Sequence, residues 1–265
     1  MWRFSREYSV MVIGISISML RDLSGRIVHG RYFSIEDTCL VRIFEKRRSI
    51  FLHIIFMSLL HPKILSPEQS NLSRLLREAR GRGFYMVWGT AIALHLGHRK
   101  SIDFDLFRDR SFSRETTTGI LQRSMTRMDM TQIHTEENLT GIAQGVKITF
   151  FHFPFPIEAS IDFQGDIKIP TLLTLAAMKA YALGRRAKWK DYVDLYFILK
   201  DYYSIREISE KASDIFQWNF NSKLFREQLC YFEHINYDEV VEYLIPDPPT
   251  DAQVKAFLIE RAIED

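Results

Sequence analysis

The stretch that most constrains the fold runs from Phe84 to Phe107, FYMVWGTAIALHLGHRKSIDFDLF. Phe84-Tyr85-Met86-Val87-Trp88 is aromatic and β-branched, the composition of a short buried strand. Gly89-Thr90 turns the chain into a helix predicted over Ala91 to Leu96 and closed by Gly97. After the polar loop His98-Arg99-Lys100-Ser101, Ile102 to Phe107 alternates with the period of a strand. Strand, turn, helix, loop and strand follow one another with almost no slack, which points to an α/β layer with the helix packed on a sheet.

Elements of the same clarity lie on both sides. Ser66-Pro67-Glu68-Gln69 combines a Ser N-cap, Pro at the first helical position and Gln at the capping-box position, with Leu72, Leu75, Leu76 and Ala79 following at helical spacing. Gly81-Arg82-Gly83 stops that helix. Downstream, Gly145 to Phe151 and Ala159 to Phe163 read as strands separated by Pro154 and Pro156. From Thr171 onward the pattern is helical: Thr171 to Arg186, Asp191 to Lys200, a segment at Ile205 to Phe216, and a last helix opened by the Thr250-Asp251-Ala252-Gln253 capping box. Residues 57–170 thus form an α/β part and residues 171–265 an all-helical one.

Residues 1–56 differ from both. They show no sustained 3.6 or 2.0 periodicity, and they carry 9 Lys/Arg against 5 Asp/Glu, whereas residues 57–265 carry 26 against 28. We expect this segment to be an extraneous or poorly ordered extension, with the functional domain beginning near Met57. Its apolar run from Val10 to Leu20 is too short to span a bilayer and lacks the small-residue cleavage site of a signal peptide. The overall formal charge of +2 gives no global electrostatic case for nucleic-acid binding. Cys39 and Cys230 stand far apart and support neither a disulfide framework nor a zinc cluster, as expected of a cytoplasmic protein.

Chemistry concentrates at Asp103 and Asp105. As i and i+2 on a strand they project from one face, while Ile102, Phe104 and Leu106 are expected to bury the other. Adjacent carboxylates repel unless a cation sits between them, and hard oxygen ligands with positions open to phosphate suit Mg²⁺. The helix behind Gly89-Thr90 offers free N–H groups and a positive dipole end, and glycine permits close approach of a phosphate. Together these parts fit a triphosphate and its metal, most of what an in-line displacement at phosphorus requires. Without that helix the two aspartates would be ordinary solvated residues of an edge strand.

Other residues remain open at this level. Lys179 lies on an apolar helix and fits either a nucleotide-neutralising lysine or a snorkelling surface one. Asp191 and Asp194 fit a site or the N-cap and N3 positions of a helix. Lys179, Arg185, Arg186, Lys188 and Lys190 form a basic cluster suited to triphosphate or an RNA backbone, or to a solvated helix end. Asp162 serves a third carboxylate or a turn. His95 and His98 lack a convincing metal spacing.

Residues 88–107, WGTAIALHLGHRKSIDFDLF, and residues 175–199, LAAMKAYALGRRAKWKDYVDLYFIL, resemble the signature of the AbiEii/AbiGii toxin family of nucleotidyltransferases. That pattern is Gly-Gly-Thr, an apolar helix, a basic loop and Asp-x-Asp on a strand, then a helical Lys followed by Lys-Asp-x-x-Asp-Leu-Tyr. With the helix behind Ser66, the resemblance spans residues 57–265. It implies a nucleotidyltransferase-like small mixed sheet with flanking helices, followed by a helical C-terminal domain that contributes to the active site. It also implies Mg²⁺ on Asp103 and Asp105, Gly89, Thr90, Ser101 and Arg185 on the nucleotide, Lys179 against the triphosphate, and Asp194 or Asp191 on the acceptor hydroxyl. The implied partners are an NTP, an RNA acceptor such as a tRNA 3′ end, and an antitoxin encoded nearby, in a system of toxin–antitoxin or phage-defence type. Trp88 departs from the pattern, standing where the family has its first Gly. This departure leaves two further readings: an inactive nucleotide- or partner-binding module, and a kinase-like phosphotransferase.

Overall fold

The computed structural model describes residues 20–21, 27–28 and 60–264, apart from residues 184, 186, 187 and 234. The chain divides into two compact units, Met1–Ile50 and Phe51–Asp265. In the first, the described residues are two short antiparallel strands, β1 (Leu20–Arg21) and β2 (Ile27–Val28). The expectation of an extraneous segment at residues 1–56 otherwise lies outside the described residues.

In the second unit a 3-10 turn (Pro62–Ile64) precedes α1 (Pro67–Asn71), whose Ser66 cap forms the anticipated capping box with Gln69, and the chain continues after Leu72 into α2 (Ser73–Arg80). Leu72, Leu75, Leu76 and Ala79 are buried, as their spacing requires. β3 (Tyr85–Val87) leads without a loop into α3 (Trp88–Leu96), one turn longer at its start than the sequence suggests. Gly97, at φ +66, closes α3 in the left-handed conformation that glycine adopts at low cost. β4 (Asp103–Arg108) follows, then α4 (Arg114–Ser124) and three strands, β5 (Met130–His134), β6 (Asn138–Ala143) and β7 (Val146–His152).

These strands form one mixed sheet in the order β3-β4-β7-β6-β5. Only β4 and β7 run parallel, with Asp103 beside Lys147 and Asp105 beside Thr149. The other pairs are antiparallel, including β3 against β4 with Val87 opposite Asp105. A small hairpin of β8 (Ile161–Phe163) and β9 (Ile167–Ile169), not hydrogen-bonded to the sheet, packs beside β3.

The helical half comprises α5 (Leu172–Leu183), α6 (Trp189–Asp201), α7 (Ile205–Phe216), α8 (Ser222–Leu229) and α9 (Asp251–Ile263). Side chains from both halves enter one hydrophobic core: Phe104, Ile148 and Phe150 of the sheet, Ala93 of α3, Met178 of α5, Val193 and Ile198 of α6, and Leu258 of α9. The change of pattern near residue 170 is therefore a change of secondary structure within a shared core. No helix among the described residues is long and apolar enough to cross a membrane.

Candidate active site

The order of elements places the two aspartates. β3 is three residues long, so its pairing with β4 ends where Val87 meets Asp105, and α3 begins at the next residue. The N-terminus of α3 is thereby set beside the start of β4. Thr90 fixes this junction: its Oγ1 lies 2.9 Å from Ser101 Oγ and within hydrogen-bond reach of the Asp103 carbonyl oxygen. Asp103 and Asp105 are half-buried on one face of β4, with Phe104 and Leu106 buried on the other. Ile102 does not join them. It is 61% exposed, because the strand starts one residue later than its alternation suggests and Ile102 belongs to the rim of the cleft.

The cleft is lined by Trp88, Gly89, Arg99, Ser101, Ile102, Asp103 and Asp105 from the strand side, by Lys179 from α5, by Lys188, Lys190 and Asp191 at the start of α6, and by Glu239. It is narrow, a cavity of about 50 Å³. Burial raises the Asp103 carboxyl above its ordinary value; Lys147 on β7 opposes that shift and Glu239 reinforces it. This is the electrostatic signature of a carboxylate placed where a cation would relieve it.

Behind the cleft lies a buried ionic network. Asp194 of α6 is fully buried and accepts hydrogen bonds at Oδ1 from Arg99 Nε at 2.8 Å and His98 Nε2 at 2.9 Å, and at Oδ2 from Arg99 Nη2 at 2.9 Å. Lys179 Nζ adds an ion pair to Asp194 Oδ2 at 3.0 Å and another to Asp191 Oδ1. Lys179 is 1% exposed, so it is no snorkelling residue. Burial alone would raise the Asp194 carboxyl, but Arg99 and Lys179, with hydrogen bonds from His98 and Arg99, hold it well below the usual range. Arg99 and Lys179 balance Asp191 and Asp194 in formal charge, which is what lets four ionised groups stay buried. Asp191 sits at the third position of α6 with Lys188 as N-cap, so neither aspartate caps that helix.

The predicted site residues divide accordingly. Asp103, Asp105, Lys179, Asp191, Gly89 and Ser101 converge on the cleft. The Thr90 side chain is buried and committed to the α3–β4 junction, which leaves its backbone N–H as what it offers an anion. Asp194 stands behind the cleft. Arg185 does not reach it: its guanidinium stacks 3.8 Å over the Tyr181 ring and donates to the Tyr181 and Asn219 carbonyl oxygens, lining a different pocket with Phe220 and Leu224. Asp162 pairs with Arg80 at 2.5 Å and accepts the Gly165 N–H at 2.7 Å, serving the β8–β9 turn.

Gly89 has a reason unrelated to any ligand. A Cβ there would stand 2.9 Å from Arg99 Nη2 and 3.2 Å from Ser101 Oγ, so glycine is what admits the buried guanidinium. Arg99 and His98 were legible only as a basic loop; the clue was an aspartate, Asp194, set in the apolar run of α6, which demands a buried cation. Glu239 and Lys147 carried no local signal.

Trp88 takes φ +56, the left-handed region that favours glycine, which accounts for a glycine at this position in the family pattern. Here a tryptophan accepts that backbone and fills the space. Its ring is 7% exposed, meets Phe107 edge-on at 5.7 Å, and lies 5.7 Å from Lys179 Nζ. Trp88→Gly should relieve about 1–2 kcal/mol of strain and lose about 3–5 kcal/mol of buried aromatic packing. Packing wins, and we expect a net loss of about 2–3 kcal/mol in urea unfolding. A variant as stable as the wild type would show that strain is the larger effect.

The buried histidines set a pH dependence. Burial lowers His98 and His95 below their ordinary value; the hydrogen bonds to Asp194 and to the Pro170 carbonyl oxygen only partly oppose this. Both are therefore neutral in the fold at a pH where the unfolded chain binds protons. Their contribution is complete above the ordinary histidine value of about 6.5 and is lost as pH falls through the depressed folded values. The thermal midpoint should fall steadily between about pH 6.5 and 5. A midpoint flat across that interval would contradict the assignment.

The sequence resembles known proteins over most of its length. Residues 72–260 match the family described as nucleotidyl transferase AbiEii toxin, Type IV toxin–antitoxin system. An uncharacterized protein of Aquifex aeolicus is 24% identical over 190 residues, covering 69% of this chain and 90% of its own. Among solved structures, the nucleotidyltransferase toxin MenT4 of Mycobacterium tuberculosis superposes with a TM-score of 0.49 at 14% identity, over 72% of this chain and 80% of its own. The Megavirus polyadenylate synthase gives 0.39 at 14% identity, over 67% and 40%. The family match covers well over half of the sequence, and the chain belongs to the AbiEii nucleotidyl transferase toxin family.

Proposed function

We propose that this chain transfers a nucleoside monophosphate from an NTP to the hydroxyl of an RNA acceptor such as a tRNA 3′ end, releasing pyrophosphate. The observation that carries the reading is the convergence of Asp103 and Asp105 from β4 with Lys179 and Asp191 from α5 and α6 on one cleft.

The donor set fits Mg²⁺. Two carboxylates on one strand face, one of them held above its ordinary value by burial, supply hard oxygens and leave the remaining octahedral positions to phosphate and water. When bound there, the ion would neutralise charge developing on the transferred phosphoryl group.

The chain itself positions the reactants. The first N–H groups of α3, at Gly89 and Thr90, face a phosphate. Lys179 has three N–H donors, of which Asp191 and Asp194 engage two, and the third serves a phosphate oxygen at the cleft. Asp191, which lines the cleft, orients the acceptor hydroxyl. Asp194 does not take that role. It is 0% exposed with both oxygens bound, and it acts by holding Lys179 and Arg99 in place. The family description, a Type IV toxin–antitoxin system, supports an antitoxin partner, which we place in a neighbouring gene.

The narrowness of the cleft and the tryptophan at position 88 favour one alternative, a nucleotide-binding module without transfer. Purified protein incubated with Mg²⁺, total tRNA and α- or γ-labelled NTP separates the readings. Label entering RNA from the α-phosphate supports nucleotidyl transfer. Label entering from the γ-phosphate means a phosphotransferase, and binding with no label transferred means the module.

A further inference from the structure

A strap between α8 and α9 crosses the mouth of the cleft. At one end the Asn236 carbonyl oxygen accepts the Trp189 N–H at 3.1 Å, beside the start of α6. At the other, Lys100 N–H donates to the Glu242 carbonyl oxygen and Leu244 N–H to the His98 carbonyl oxygen, both at 2.9 Å. The strap is thus tied to both walls. Between the ties Glu239 turns into the cleft, where its Oε1 lies 2.7 Å from Lys188 Nζ and its Oε2 3.3 Å from Lys190 Nζ. Burial works to raise this carboxyl, but the two ammoniums outweigh it and hold it at about 2. Glu239 is therefore an anion across neutral pH.

An anion has no electrostatic business facing Asp103 and Asp105 unless the nearby cations need it. Lys188 and Lys190 flank the carboxylate pair, and a single carboxylate satisfies them incompletely compared with the several charged oxygens of a polyphosphate. With both oxygens engaged by lysines, Glu239 is also poorly placed to serve as a metal ligand. We propose that Lys188 and Lys190 are the subsite for the polyphosphate tail of the incoming nucleotide, and that Glu239 occupies it as an internal counter-anion which the tail displaces. The inference rests on the nucleotidyltransferase reading of the cleft and adds to it a built-in competitor for the substrate. Glu239 also contributes to the narrowness of the cleft, since it is the strap residue that lines it.

Exposure makes the exchange feasible. Glu239 and Lys188 are 41% and 40% exposed, and an ion pair so open to water is readily replaced by a ligand of higher charge. The strap holds Glu239 in place through hydrogen bonds from neighbouring backbone, so the carboxylate can swing away without unfolding its surroundings.

The test uses the full chain and inorganic tripolyphosphate, titrated calorimetrically without divalent metal. Glu239→Gln should bind it about fivefold more tightly than wild type, the size expected when a partly exposed competitor is removed. The Lys188→Ala, Lys190→Ala double variant should lose most of the binding. Glu242→Gln, on the same strap but paired with Lys100, should bind as wild type does. Glu239→Gln binding no tighter than wild type, or the double lysine variant binding unchanged, would overturn the proposal. Because no transfer is measured, tripolyphosphate binding in the expected order by a protein that transfers no nucleotide would sustain this inference while removing the catalytic one.

Discussion

Asp103→Asn and Asp105→Asn should each lower nucleotidyl transfer by about a thousandfold, and Asp103→Asn should leave the protein at least as stable as the wild type. The first half follows from charge. The two carboxylates are the anionic oxygens on the strand face of the cleft, and an amide keeps the shape but gives up the attraction for a divalent ion. The second half follows from burial. Asp103 is held above its ordinary value, which means that ionising it costs the folded state more than the unfolded one, and a neutral amide removes that cost. Loss of activity with retained or raised stability separates a site residue from a structural one. Initial rates and thermal midpoints on the same preparations check both halves. Variants that unfold, or that transfer at the wild-type rate, would remove Asp103 and Asp105 from the site.

The parts of the fold that were legible share a physical trait: a regular apolar period or a capping box marks them. The Ile102-to-Phe107 alternation, the helix behind Ser66 and the last helix behind Thr250 all appear where their periodicity or capping box places them, within a residue or two. The parts that were not legible lack such a mark. β5 is the edge of the sheet, with Met130 56% and Ile133 44% exposed, so it lacks the alternation of a strand with a dry face. β6 beside it carries Gly141, whose missing side chain admits the Met130 carbonyl oxygen and which reads locally as a breaker. α4 contains three threonines and a glycine, poor helix formers, and is held by Thr117, Ile120 and Ser124 packing at i, i+3 and i+7. Only a reading that counts threonine and serine as core could have found it.

The site shows the same division. Asp103, Asp105, Lys179 and Asp191 lie in local patterns, and the sequence placed them in one candidate site from those patterns and the family resemblance. What the sequence left open was which groups face the cleft and which stand behind it. Asp191 and Asp194 are three residues apart on one helix, yet one lines the cleft and the other is sealed against Arg99, a distinction set by a loop almost a hundred residues away. Glu239 lies in a stretch without regular structure, where neither periodicity nor capping marks a residue as important.

Asp194→Asn should be the most destabilising conservative change in the described residues, costing about 3–5 kcal/mol and lowering the thermal midpoint by about 10 °C or more. Asparagine keeps the volume, and its amide oxygen still accepts one or two hydrogen bonds. What it removes is one of two negative charges from a network in which Arg99 and Lys179 are each about 1% exposed. Asp191 alone is then left against two buried cations, and Arg99 loses its bidentate partner. Breaking the exposed Arg206–Glu210 pair, 84% and 62% exposed, should by contrast leave the midpoint unchanged, since water already screens it. The sign with pH agrees: a carboxyl held far below its ordinary value stabilises the fold at every pH above about 3.9 and ceases to do so as pH falls from there through the folded value. The wild type should therefore lose its advantage over Asp194→Asn only in strong acid. Pairing the change with Lys179→Met tests whether the network acts as a unit. Removing one cation with one anion leaves Arg99 balanced by Asp191, so the double variant should cost clearly less than the two single changes added together. Simple additivity would mean that the four groups are stabilised separately by their surroundings, and that Asp194 does not position Lys179 for the cleft.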